Sequence, residues 1–113
     1  MKNLEQMLKA FLKKKDLLDH DGTKSGGVPH IQLSESIPID NPGEGIYHLD
    51  GFYRNSDTVF LLFTDPNGDV ICPSYKEALK MSLYPTWVLS LKEILYQVMV
   101  QILWEKHYGN TKI

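Results

Sequence analysis

Residues 16–30, DLLDHDGTKSGGVPH, combine carboxylates, two histidines and a glycine-rich run, which are the residue types of a metal or phosphate site. Imidazole and carboxylate groups suit transition metals, so His20, His30 and Asp21 define a candidate metal site. A calcium loop counted from Asp19 would need glycine at its sixth position, where Lys24 stands, and glutamate at its twelfth, where His30 stands. The spacing of a phosphate-binding loop is also absent. We therefore favour a solvated linker with no metal or cofactor, and keep the metal site as an alternative.

A second candidate site combines Cys72 with polar residues of a predicted strand. Alternate strand residues point to the same face, which predicts that His48, Asp50 and Arg54 lie together. With Cys72 they would supply a nucleophile, a base and an orienting group. The neighbours of Cys72 in VICP are apolar, however, which is typical of a buried structural thiol. A thiol-dependent enzyme using Cys72 and His48 stays an alternative, and we predict no catalytic residues.

Lys13, Lys14 and Lys15 form a basic patch near the end of the first predicted helix. Polyanion binding is one interpretation, but nucleic-acid surfaces usually interleave basic residues with aromatic ones, and here only Phe11 is near. Lysines at a helix end also complement its exposed carbonyl groups. We favour a solvated helix end and do not expect a nucleic-acid partner.

Composition limits the class of protein further. The chain has 113 residues, a net charge of −2 and a single cysteine, so we expect one domain with no internal disulfide and no cysteine zinc site. Its N-terminal residues lack the apolar core of a signal peptide. Lys92, Glu93, Gln97 and Gln101 interrupt the most apolar stretch, which excludes a membrane span there. We therefore expect a cytoplasmic protein.

Hydrophobic periodicity predicts the order helix, loop, three strands, helix, helix. An amphipathic helix is predicted over 1–18, an acidic loop with glycine and proline over 19–45, antiparallel strands over 46–72, and two helices over 74–108. IQL at 31–33 is a candidate short strand within the loop. The fold class is thus α+β, with three or four antiparallel strands packed against two or three helices.

Local motifs fix some element ends. DPNG at 65–68 predicts a hairpin turn in which glycine takes a positive φ. Ser74 and Glu77 have the spacing of a capping box, which predicts a short helix over about 75–83. Pro85 is expected to end that helix, and Thr86 to cap the next one.

The last predicted helix carries more apolar surface than one contact with a sheet requires. One face is expected to cover the sheet: Leu91, Ile94, Leu95, Val98 and Ile102. A second apolar set lies on another side: Leu89, Tyr96, Val100, Leu103 and Trp104. Either the first helix covers this second set, or the set contacts another protein.

We therefore predict a non-catalytic protein that binds another protein, as a small inhibitor, immunity factor, adaptor or chaperone. Aromatic residues are enriched among interface anchors, and the acidic loop would suit a basic partner. The predicted contact residues are Tyr84, Trp87, Tyr96, Val100 and Trp104. Association into a homodimer would satisfy the same pattern.

Overall fold

A computed structural model describes residues 3–19 and 30–108, with side chains described over 3–13 and 30–102. The chain forms, in order, α1 (Leu4–Asp19), β1 (His30–Asn41), β2 (Gly45–Asn55), β3 (Thr58–Thr64), β4 (Val70–Ile71), α2 (Tyr75–Leu79) and α3 (Pro85–Tyr108). The predicted α+β class, with an antiparallel sheet and helices, is confirmed.

The four strands form one antiparallel sheet in the order β1-β2-β3-β4. Alternate residues of β3 are fully buried, namely Val59, Leu61 and Phe63, whereas Phe60 and Leu62 between them are partly exposed on the opposite face. This alternation is the two-residue period of a strand with one face against the core.

The candidate strand at 31–33 is confirmed as part of β1, whereas the interpretation of 19–45 as a loop is wrong for the rest of residues 30–41. The pairing of β1 with β2 is interrupted between Gln32 and Ile37 by a bulge, so the polar residues between them break the hydrophobic alternation. Pro38 lies within the strand, and an outermost strand is where a sheet tolerates proline. Because of these two features, the twelve residues of β1 do not show the continuous two-residue hydrophobic period that predicts a strand.

The starts of α2 and α3 are determined by particular residues. Ser74 accepts a hydrogen bond from the Glu77 amide and donates its own amide to the Glu77 carboxylate, so the predicted capping box is confirmed. The helix it begins ends at Leu79, earlier than expected. Pro85 does not precede α3 but is its first residue, where proline loses no helical hydrogen bond.

The turn between β3 and β4 is held by Asp65. Its carboxylate Oδ1 accepts hydrogen bonds from the amides of Asn67 (2.9 Å) and Asp69 (2.8 Å). Gly68 has φ +89°, which confirms the predicted positive φ in DPNG.

The core lies between the sheet and the helices. Its largest wholly buried side chain is Trp87 of α3, whose ring contacts those of Tyr47 (5.5 Å between centroids) and Phe63 (5.9 Å). Leu8 and Leu12 of α1 reach the same cluster. The apolar face predicted for the first helix therefore packs against the sheet.

Candidate protein-interaction surface

Helix α3 uses one face for the core. Leu91 and Leu95 are fully buried, and Val98 is 6% exposed. Ile94 and Ile102 are partly buried against the same cluster. The face predicted to cover the sheet is therefore confirmed.

The opposite side of α3 presents apolar side chains to solvent. Leu89 is 66% exposed, Tyr96 51% and Val100 47%. At 100° per residue, spacings of seven and four place the three residues in one narrow row. We call this row the α3 stripe. Although α1 contacts α3, it leaves the stripe exposed, so packing between these helices does not account for Leu89, Tyr96 and Val100 of the second apolar set.

The stripe is bordered by polar residues. Lys92 and Glu93 are exposed, and the Gln97 side-chain amide donates a 3.2 Å hydrogen bond to the Glu93 carboxylate. Ser90 and Gln101 are exposed as well. An apolar row with a polar border has the layout of a small protein-interaction surface.

Trp87 does not belong to this surface. The sequence predicted it as a contact residue beside Tyr84, but it is 0% exposed, and its indole N–H donates a 2.7 Å hydrogen bond to the Ala78 carbonyl oxygen. The prediction is wrong for Trp87 because the start of α3 turns this ring inward, onto Tyr47 and Phe63.

Tyr84 and Leu83 immediately precede α3 and are 55% and 99% exposed. They place further apolar surface at the same end of the helix as Leu89. Trp104 lies within α3, but its side chain, like that of Leu103, is outside the described side chains.

His48 and Cys72, the two residues of the thiol hypothesis, lie on one face of the sheet without meeting. In the strand register His48 lies opposite Thr64, and Thr64 lies opposite Val70, so β3 separates His48 from the strand that leads to Cys72. Cys72 is exposed, contrary to the expected buried thiol. The pKa of the Tyr53 hydroxyl is raised, first by burial and then by the charge and hydrogen bond of Cys72. Tyr53 is thus an acid–base neighbour of the thiol.

A bulge in β2 also separates Arg54 from His48 and Asp50. Between Leu49 and Gly51 the register with β3 shifts, which moves the following residues to the other face. Asp50 accepts a 2.7 Å hydrogen bond from the Thr64 hydroxyl, whereas Arg54 donates to the Lys9 carbonyl oxygen of α1 at 3.1 Å. The predicted common face for these three residues is therefore wrong.

The metal hypothesis falls mostly outside the described residues, since His20 and Asp21 are among those not described. His30 is the first residue of β1 and is exposed. Over side chains 3–13 and 30–102, no three His, Cys, Asp or Glu residues are grouped to hold a metal ion.

The basic patch is only partly described. Lys13 is exposed, and the side chains of Lys14 and Lys15 lie outside the described set. Lys9, one helical turn before Lys13, forms an ion pair of 3.5 Å with Asp57. That part of the helix surface is thus paired with an acidic residue of the β2–β3 turn.

Comparisons of the chain with protein-family models, with curated proteins and with solved structures found no match. Within the part of the chain that the structure describes, no helix has both the length and the hydrophobicity needed to cross a bilayer.

Proposed function

We propose that this protein acts by binding another protein through the α3 stripe, Leu89, Tyr96 and Val100, together with Tyr84. The observation that carries the proposal is the exposure of Leu89, Tyr96 and Val100 in one row on the side of α3 opposite the core. Single exposed apolar residues are ordinary, but an aligned row with a polar border is more typical of a contact surface.

Tyr96 has the properties of an anchor residue. It lies in the middle of the row between Leu89 and Val100, and half of its surface is exposed. A tyrosine buries a large apolar ring on binding while its hydroxyl remains able to bond at the rim, which is why tyrosine is enriched at interface centres. Glu93 and Gln97 beside it would form the rim that excludes water.

Exposed acidic residues favour a partner with basic groups. Asp40 and Glu44 are exposed at the end of β1 and in its turn into β2. Charges of one sign speed encounter with a partner of the opposite sign. The roles that fit are a cytoplasmic inhibitor, immunity factor, adaptor or chaperone, and a homodimer would use the same stripe.

The test compares two substitutions that add the same charge to adjacent positions. Tyr96→Glu places a carboxylate in the stripe, and Gln97→Glu places one in its polar border. Tagged wild-type protein and both variants are used to capture partners from the native lysate, with quantitative mass spectrometry and with size-exclusion chromatography for self-association. We expect Tyr96→Glu to lose a stoichiometric partner, or a self-associated form, that Gln97→Glu retains. Equal capture by all three proteins, each shown to be folded by circular dichroism, would contradict the proposal.

A further inference from the structure

A groove opens between the bulged part of β1 and the C-terminal half of α3. Residues 32–38 of β1 form one wall, and Val98, Gln101 and Ile102 of α3 form the other. Its volume is about 490 Å³, within the range of sites that hold small ligands or short peptides. Because β1 is the outermost strand of the sheet, the groove lies along an edge.

The bulge that shapes this groove is specified by the sequence. Gln32 lies opposite Gly51 and Ile37 lies opposite Leu49, so four residues of β1 face Asp50 alone. A Cβ atom at Gly51 would lie 2.3 Å from the Ile31 carbonyl oxygen, so only glycine allows the two strands to approach this closely. Asp50 is also the bulged residue in the pairing of β2 with β3. Two bulges at the same residue indicate a specific structural feature of the sheet and not an irregularity.

The bulge changes what the backbone of β1 offers. In a regular ladder, every residue of β1 would face a residue of β2. Residues 33–36 of β1 instead have more amide and carbonyl groups than Asp50 can pair with. Ser34, Glu35 and Ser36 of this stretch are exposed, so its backbone groups are accessible to an extended peptide, which supplies donors and acceptors at the spacing of a strand.

The side chains of the groove define the ligand further. Leu33, Ile37 and Ile102 are partly buried against the core and give the groove apolar walls. Glu35 is exposed at the bulge and is the one charged residue among the described side chains that line the groove. An aliphatic side chain therefore fits between the strand and the helix, and a cation fits beside Glu35.

We propose that this groove binds a short extended peptide segment of a partner protein, in which an aliphatic residue lies close to a lysine or arginine. The segment adds to β1 over the bulged stretch, with its aliphatic side chain against Val98 and Ile102. Pro38 has no amide hydrogen, and together with the bulge it prevents long strand pairing. These two features favour a short peptide over the edge strand of a second copy.

This site is separate from the α3 stripe. Val98 and Ile102 lie on the core side of α3, whereas Tyr96 and Val100 lie on the opposite side. Substitutions in one surface therefore leave the other intact, and the two proposals succeed or fail independently.

The test uses a phage-displayed library of random nine-residue peptides, selected on the full-length protein. Enriched peptides are expected to pair an aliphatic residue with a lysine or arginine. As synthetic peptides they should shift the amide NMR signals of residues 33–37 and 98–102. Glu35→Lys should weaken their binding by up to about fivefold, the upper limit for an exposed ion pair. Asp69→Lys, a charge reversal on the exposed turn between β3 and β4, outside both the groove and the α3 stripe, should leave binding unchanged.

A peptide with the opposite charge provides a second test, so that the conclusion does not depend on Glu35→Lys alone. Replacing the basic residue of the peptide with glutamate should weaken binding to the wild type and restore it to Glu35→Lys. The proposal is overturned if no peptide is enriched over selection on an empty surface. It is equally overturned if enriched peptides bind Glu35→Lys and the wild type alike, or shift signals away from the groove.

Discussion

The indole N–H of Trp87 donates a 2.7 Å hydrogen bond to the carbonyl oxygen of Ala78, and this bond joins the start of α3 to α2. Both residues are fully buried. Two positions further along the helix, Leu89 is 66% exposed. Within one turn of α3, Trp87 thus packs in the core, whereas Leu89 is accessible to a partner.

Substitutions at these two positions should separate stability from binding. Trp87→Phe keeps an aromatic ring but leaves the buried Ala78 carbonyl without its donor, so we expect a loss of about 1–3 kcal/mol in the free energy of unfolding. Trp87→Ala should cost about 3–5 kcal/mol because it also opens a cavity. Leu89→Ala should change stability by no more than about 0.5 kcal/mol. Urea denaturation measures all three, and a large loss for Leu89→Ala would place that side chain in the core.

Much of the fold could be predicted because its elements follow simple periods. Leu8 and Leu12 recur at helical spacing, and Val59, Leu61 and Phe63 alternate as strand residues do. The strand β1 was missed because its bulge places polar residues between Gln32 and Ile37, and no two-residue period survives the interruption. The available signal was the apolar alternation on each side of this polar tract, with Ile31 and Leu33 before it and Ile37 and Ile39 after it.

The candidate sites were harder to predict because they depend on register and on packing. Alternation placed Arg54 on the face of His48, but the bulge at Asp50 shifts the strand by one residue and reverses every later side chain. Trp87 was assigned to the surface because its neighbours Tyr84 and Pro85 suggest an exposed bend. Only the rings of Tyr47 and Phe63 decide that it points inward, and they come from distant parts of the chain.

Gly51 should be intolerant of any side chain. In Gly51→Ala the new methyl group would meet the Ile31 carbonyl oxygen, so one strand must move, and we expect a destabilisation of about 1–3 kcal/mol. Gly68→Ala is the control, because a Cβ atom there meets nothing within 4 Å and only its positive φ is strained. Thermal unfolding, with amide NMR shifts of β1, distinguishes the two. Only Gly51→Ala should perturb residues 31–37, and an unperturbed β1 would contradict the close approach.

Glu77 should make stability depend on pH in the acidic range. Hydrogen bonds from the Ser74 backbone amide and side chain lower its pKa below the ordinary value of 4.5. A depressed pKa in the folded state stabilises the protein above the ordinary pKa, and this contribution is lost as the pH falls through the folded value. The difference in melting temperature between wild type and Glu77→Gln should therefore shrink as the pH falls from 7 to 3. A difference that does not vary with pH would contradict the capping role.

Tyr75 should have the opposite dependence in the alkaline range. Burial, and then the negative charge of Glu5, raise the pKa of its hydroxyl above 10.0. The neutral ring is favoured in the folded state, so the contribution is complete below the ordinary pKa and is lost as the pH rises through the folded value. Wild type should lose melting temperature between pH 8 and pH 11 more steeply than Tyr75→Phe. Parallel curves would show that the hydroxyl titrates equally in folded and unfolded chains.

The most direct test of binding through the α3 stripe is site-specific photo-crosslinking in the native cell. A photoreactive amino acid is placed, one position at a time, at Leu89, Tyr96 and Val100, and at the exposed polar control positions Asn55 and Asn67, which lie outside α3. The account predicts that the three stripe positions crosslink to the same protein, or to a second copy of this chain, and that the control positions give little product. Equal crosslinking from all five positions, or none from the stripe, would contradict it.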